Sequence, residues 1–230
     1  MCLVLHEAQQ TLTLIASHLL DCPVADLCFQ DRQVRSRHHP EQHVAFAQLA
    51  AAAYNSAQLP PGVALGLDFR RRTTLGTSPY AFATHVAVVE VSQDTGAIRV
   101  LQYVAVHDAG RIMNPLLAAG QVHGGIAQGI GQALLEGMVY SPEGQPLTAT
   151  LLDYPLPRAS TTPALTLDTL ETLSPLTPMG AKGLGELPTL AAPVASANAV
   201  MDALAPVGVR HIDTPLTPEK IWQALHGKEA

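Results

Sequence analysis

Charge is scarce in this chain: of 230 residues, 14% are charged and 47% are hydrophobic. So low a charged fraction excludes a solvated, disordered polymer and implies a core that a chain of this length can bury. A basic face is missing too. The net charge is -6 and the pI near 5.9, so nothing draws the chain to nucleic-acid phosphates or an acidic membrane surface. The one dense basic run, Arg70 to Arg72, reads as a solvated turn. Cysteines number only three, Cys2, Cys22 and Cys28, with no C-x-x-C pair. That excludes a disulfide framework and predicts free thiols in a reducing compartment. The N-terminal "MCLVLHEAQQ" lacks the charged n-region and small-residue cleavage site of an export signal. No run of 18 apolar residues is present either, so the expectation is a soluble, cytoplasmic chain without a membrane span.

Several catalytic signatures are also missing. There is no G-x-S-x-G for a serine nucleophile, no G-x-x-x-x-G-K-[ST] phosphate loop and no G-x-G-x-x-G dinucleotide fingerprint. His39 and His43 have the four-residue spacing of a helical metal pair, but no third ligand follows in a recognised pattern. No metal-ligating side chains are expected.

What is present is patterned. Helices are predicted over 7–20 and, after Pro40, over 41–57. "QLPPG" at 58–62 marks a linker, dividing the chain into an N-terminal helical segment, 1–62, and a larger domain, 63–230. Two Val-rich alternating runs, 80–91 and 97–108, flank "SQDTG", with Gly96 free to take the positive φ of a hairpin turn. Asn114 and Pro115 are a natural cap and first residue for a helix over about 115–136. "PLTATLLDY" and "ALTLDTLET" follow as extended segments. A helix then runs from 187 towards Pro206, and Thr217–Pro218 opens a last one. Strands and helices alternate without a strict βαβ rhythm. The fold class is therefore α+β, with mixed sheets and packed helices.

Two glycine-rich elements stand out. Within the helix at 115–136, Gly120, Gly124, Gly125, Gly129 and Gly131 each cost about 0.5–1 kcal/mol relative to alanine. Gln121, Gln128 and Gln132 lie on roughly one face, with Gly124 and Gly125 between them. Either a polar heterocycle or pyrophosphate meets that face, or another helix packs tightly through Gly125-x-x-x-Gly129. The second element, "GAKGLGE", delivers Lys182 and Glu186 just ahead of a helix. Glu186 is there either as a general base or as a complement to the helix dipole.

Read in order, "VVEVSQDTGAIRVLQYVAVHDAGRIMNP", "GQVHGGIAQGIGQALLE", "LLDYPLPRA", "PMGAKGLGELPT" and "ANAVMDAL" resemble the large subunits of the molybdenum hydroxylases: xanthine dehydrogenase, aldehyde oxidase and aerobic carbon monoxide dehydrogenase. The resemblance covers residue 80 to the C-terminus and, less distinctively, 7–79. It implies a molybdenum–molybdopterin cofactor, in a cytosine dinucleotide form in many bacterial relatives, and oxidative hydroxylation of a small molecule with water as oxygen source. By the same resemblance Glu186 is the general base beside the metal centre. Gln121, Gly124, Gly125 and Gln128 lie against the pterin and its pyrophosphate, and Lys182, Gly183, Leu184 and Gly185 contact the cofactor. The dithiolene of the pterin holds the metal in this family, so no protein ligand is required. The chain carries neither the cysteine sets of [2Fe-2S] clusters nor an FAD fingerprint. Its implied partners are an N-terminal molybdenum-binding region, an iron-sulfur subunit and an FAD subunit. The alternative is a non-catalytic remnant or a cofactor-binding module without turnover.

Overall fold

A computed structural model describes residues 2–72, 74 and 76–227. It divides into two compact units, Met1–Leu75 and Gly76–Ala230. In the first, helix α1 (Cys2–Leu20) precedes a three-stranded antiparallel sheet of β1 (Leu27–Gln30), β2 (Gln33–Ser36) and β3 (His43–Ala45), followed by helix α2 (Phe46–Ala53). Ile15 and Ala16 of α1, Val34 of β2 and Leu49 and Ala53 of α2 are buried together in its core. The helix expected over 41–57 starts later than its composition suggests. Residues 43–45 instead pair with Gln33–Arg35, because edge pairing satisfies their backbone and buries Val44. His39 and His43 consequently lie before and within a strand, not on one helix face.

The second unit is built on a mixed sheet of β4 (Phe82–Val91), β5 (Ile98–Asp108) and β6 (Leu165–Leu170), in the order β4-β5-β6. β4 and β5 form the expected antiparallel hairpin, with Gly96 at φ +70° in its turn. β6 runs parallel to β5, and the connection between them contains helix α3 (Pro115–Leu134). Asn114 Oδ1 caps α3 by accepting from the Leu117 N–H at 3.1 Å. The segment 146–154 forms no strand. Its pairing is limited to an isolated bridge, Tyr140 to Pro146, and Leu151 and Leu152 point outwards. Helices α4 (Leu187–Leu204) and α5 (Pro218–His226) complete the unit.

One face of this sheet carries the core. Tyr103 and Ala105 of β5 meet Val122, Ile126 and Ile130 of α3 and Ala192, Val200 and Leu204 of α4. The segment Leu187–Val207 is long and apolar enough to cross a membrane, with mean hydropathy 1.3. Its buried residues, among them Ala192, Val200 and Leu204, pack towards α3 and β4, while Leu190 and Val194 stay exposed.

A polar chain crosses that core. Tyr103 Oη lies 2.9 Å from His85 Nδ1, and His85 Nε2 lies 3.0 Å from His107 Nε2, so one imidazole donates and the other accepts. Burial lowers the pKa of both histidines; with the neighbouring His107 ring added, His85 falls to about 4. The folded state thus binds fewer protons than the unfolded one between pH 6.5 and about 4. Stability from this pair is complete above pH 6.5 and is lost as pH falls towards 4, on the order of 2–3 kcal/mol for His85. Thermal midpoints measured between pH 7.5 and 4.5 should drop, and drop less in His85→Gln. An identical pH dependence in parent and variant would sink this account.

Candidate functional site

The α3–α4 contact and the loop leading into α4 define the site. Gly125 and Gly129 let the helices close on each other. A Cβ on Gly125 would lie 2.7 Å from Pro188 Cβ, and one on Gly129 would lie 2.5 Å from Ala192 Cβ. The other two glycines of this half-helix do something else. A Cβ on Gly120 or Gly124 would meet nothing within 4 Å. Gly120, Gln121, Gly124, Gly125 and Gln128 form one wall of a groove of about 440 Å³, and Gly185, Glu186 and Thr189 form the other.

The loop that brings Glu186 there is tied down along its length. Gly180 takes φ +74°, and its carbonyl accepts from Ser174 N–H at 2.9 Å. Gly110, at φ +62°, pairs with Ala181, and a Cβ on Gly110 would fall 2.1 Å from the Gly180 oxygen. Only glycine permits both the conformation and the approach. Further on, Leu184 packs against the core cluster, and the Gln121 side-chain amide donates to the Gly185 carbonyl.

Glu186 occupies the N-cap of α4, yet its side chain makes no capping bond. The first turn is served by its carbonyl, which accepts from Thr189 N–H at 3.0 Å and Leu190 N–H at 3.2 Å. Its exposed carboxylate is the one charged side chain among the residues lining the groove. The α4 N-terminus beside it adds a fixed positive partial charge.

Six of the nine residues singled out in the sequence meet at this groove: Gln121, Gly124, Gly125, Gln128, Gly185 and Glu186. The other three do not line it. Gly183 is exposed, Leu184 turns to the core, and the Lys182 ammonium is buried against Asp108 at 3.1 Å. Thr189 and Asp108 went unread. Thr189 offered no signal beyond its place three residues after Glu186. Asp108 carried one in "DAG", an aspartate two residues before a glycine, which marks an Asx-type turn. Its Oδ1 accepts from Gly110 N–H at 2.9 Å. Hydrogen bonds from Thr172 and Gly110, with Lys182 beside them, hold the Asp108 carboxyl well below the usual carboxylate range.

Residues 3–163 match the molybdopterin cofactor-binding domain family. The chain belongs to that family. The match ends short of the glycine loop, but similarity to individual members of the molybdenum hydroxylases runs through it. Nicotine 6-hydroxylase large subunit of Paenarthrobacter nicotinovorans is 34% identical over 223 residues, 96% of this chain and 27% of that protein. The crystal structure of quinoline 2-oxidoreductase from Pseudomonas putida 86 superposes with a TM-score of 0.84 at 37% identity, covering 96% of this chain and 28% of that one. A Cu,Mo-CO dehydrogenase structure gives a TM-score of 0.88 at 31% identity over the same shares, 96% and 28%. The α+β architecture is thus that of molybdenum-hydroxylase large subunits. The chain spans about a quarter of the length of the curated relatives it matches. It is a molybdopterin-binding module of an oxidoreductase family.

The groove suits such a group on its own chemistry. Backbone bare of side chains at Gly120 and Gly124 lets a flat heterocycle lie against α3, and Gln128 offers amide donors and an acceptor to its edge.

Proposed function

We propose that this chain supplies the general base and part of the cofactor cradle of a molybdenum hydroxylase, acting with a companion N-terminal region that provides the remainder of the molybdenum-binding region. Glu186 carries the reading: a carboxylate left unspent by its helix, at the lip of a groove lined by glycine backbone and glutamine amides. When bound, the molybdenum–pterin group supplies the two-electron redox chemistry that turns an electron-poor carbon and water into a hydroxylated product. The chain's own residues orient and move a proton. Gly120 and Gly124 allow close approach along α3, Gln128 hydrogen-bonds the cofactor's polar edge, and Gln121 braces the loop. The Glu186 carboxylate accepts the proton released as water-derived oxygen is activated.

N-heterocycles are the favoured substrate class, supported by the names of the nicotine- and quinoline-acting relatives; an aldehyde is the second choice. Electrons leave through iron-sulfur and FAD groups on partner chains, and the cofactor takes the cytosine dinucleotide form. The isolated chain is inactive, since the pocket and the electron exit lie elsewhere. A tagged copy purified from its own host is expected to carry close to one molybdenum per chain and to co-elute with its companions. Metal near zero, in cells whose other molybdenum enzymes are loaded, would favour a module that no longer turns over.

A further inference from the structure

One carboxylate oxygen ties three segments of the second unit together. Asp108 Oδ1, at the end of β5, accepts from Gly110 N–H at 2.9 Å, Thr172 N–H at 3.1 Å and Lys182 Nζ at 3.1 Å. The Lys182 and Asp108 side chains are only 5% and 11% exposed. Lys182 is held twice more: its N–H donates to the Ala109 carbonyl at 2.7 Å, and its ammonium lies 5.1 Å from the Phe82 ring centroid. Four residues later comes Glu186. Between them Gly183 and Gly185 contribute no side-chain packing, so the path of the loop depends on its anchors: Lys182 at the root, Leu184 in the core and the Gln121 amide on the Gly185 carbonyl.

We propose that the Asp108–Lys182 ion pair is a positioning device for Glu186, fixing the root of the glycine loop so that the carboxylate stands over the α3 groove. The proposal rests on the reading of Glu186 as the base. A buried ion pair adds little net stability, because desolvation offsets its attraction, and apolar replacements are often neutral or better. What it does supply is a fixed direction and distance. A displacement of about 1 Å at a reacting group can cost roughly 100-fold in rate.

Asp108→Asn keeps an acceptor oxygen for the Gly110 and Thr172 amides and removes the counter-charge of Lys182. In the full chain, amide hydrogen exchange at Lys182 and Ser174, whose N–H groups bond the Ala109 and Gly180 carbonyls at the root of the loop, should rise at least about tenfold. In the assembled enzyme, kcat should fall about 10- to 100-fold while molybdenum content and KM stay within about twofold. The double variant Asp108→Asn/Lys182→Met removes the stranded ammonium. It should recover thermal stability without recovering kcat. Unchanged exchange in Asp108→Asn overturns the proposal. So does recovery of kcat together with stability in the double variant, which would leave the pair a purely structural role. Failure of the base reading shows separately, as full turnover in a Glu186→Gln enzyme.

Discussion

Glu186→Gln in the assembled enzyme is expected to keep its molybdenum and lose turnover by roughly 100- to 10,000-fold, the range a positioned general base supplies. Glutamine preserves the shape and one acceptor oxygen but cannot take a proton at neutral pH. The substitution should leave the fold alone, because the α4 cap uses the Glu186 carbonyl and not its side chain. Lost turnover therefore cannot be blamed on a frayed helix, and the thermal midpoint should stay within about 1 °C. Molybdenum content is measured by elemental analysis and turnover by single-turnover reduction with substrate, which separates chemistry from later electron transfer. Turnover within threefold of the parent, at equal metal content, would remove Glu186 from the reaction.

Gly129→Val should destabilise the second unit by about 3 kcal/mol, the upper end of the range for overpacking. Its new Cβ would lie 2.5 Å from Ala192 Cβ and 2.8 Å from Pro193 Cδ, so relief requires the α3 and α4 backbones to separate. Neither an alanine methyl nor a proline ring can swing aside. A unit of this size should lose about 6–12 °C in thermal midpoint. Gly124→Ala is the contrasting control. With nothing within 4 Å of its new methyl, it should gain about 0.5–1 kcal/mol through helix propensity. The same methyl projects into the groove, so cofactor content should fall even as the chain becomes more stable. Equal thermal effects for the two variants would contradict the division of α3 into a packing face and an open one.

That division was not legible in one dimension. Local chemistry carried much of the fold. Alternating Val-rich arms around Gly96 specify a hairpin, Asn114–Pro115 start α3 where they should, and Thr217–Pro218 start α5. These are short-range effects of backbone dihedrals, caps and side-chain period, and they need no partner. The Glu186 loop was equally visible, since three glycines ahead of one carboxylate is a local pattern. Pairing over distance was not. Residues 43–45 left their helix for an edge strand, and 146–154 lacked a neighbouring strand with which to pair.

The sequence by itself determined the α+β class, the starts of the long helices, the glycine-rich stretch of α3 and the lone carboxylate that ends the glycine loop, because each shows in residues within a few positions of one another. The reading of that carboxylate as a base came from the resemblance. Only the tertiary structure decided which glycines pack and which stay open, because that depends on where Pro188 and Ala192 arrive from another helix. It also turned Lys182 inward. An ammonium in a glycine loop looks like a ligand-binding charge until β5 places Asp108 at 3.1 Å and shields the pair from water. Burial and counter-charge are properties of the assembled chain, and they set what each ionisable group is free to do.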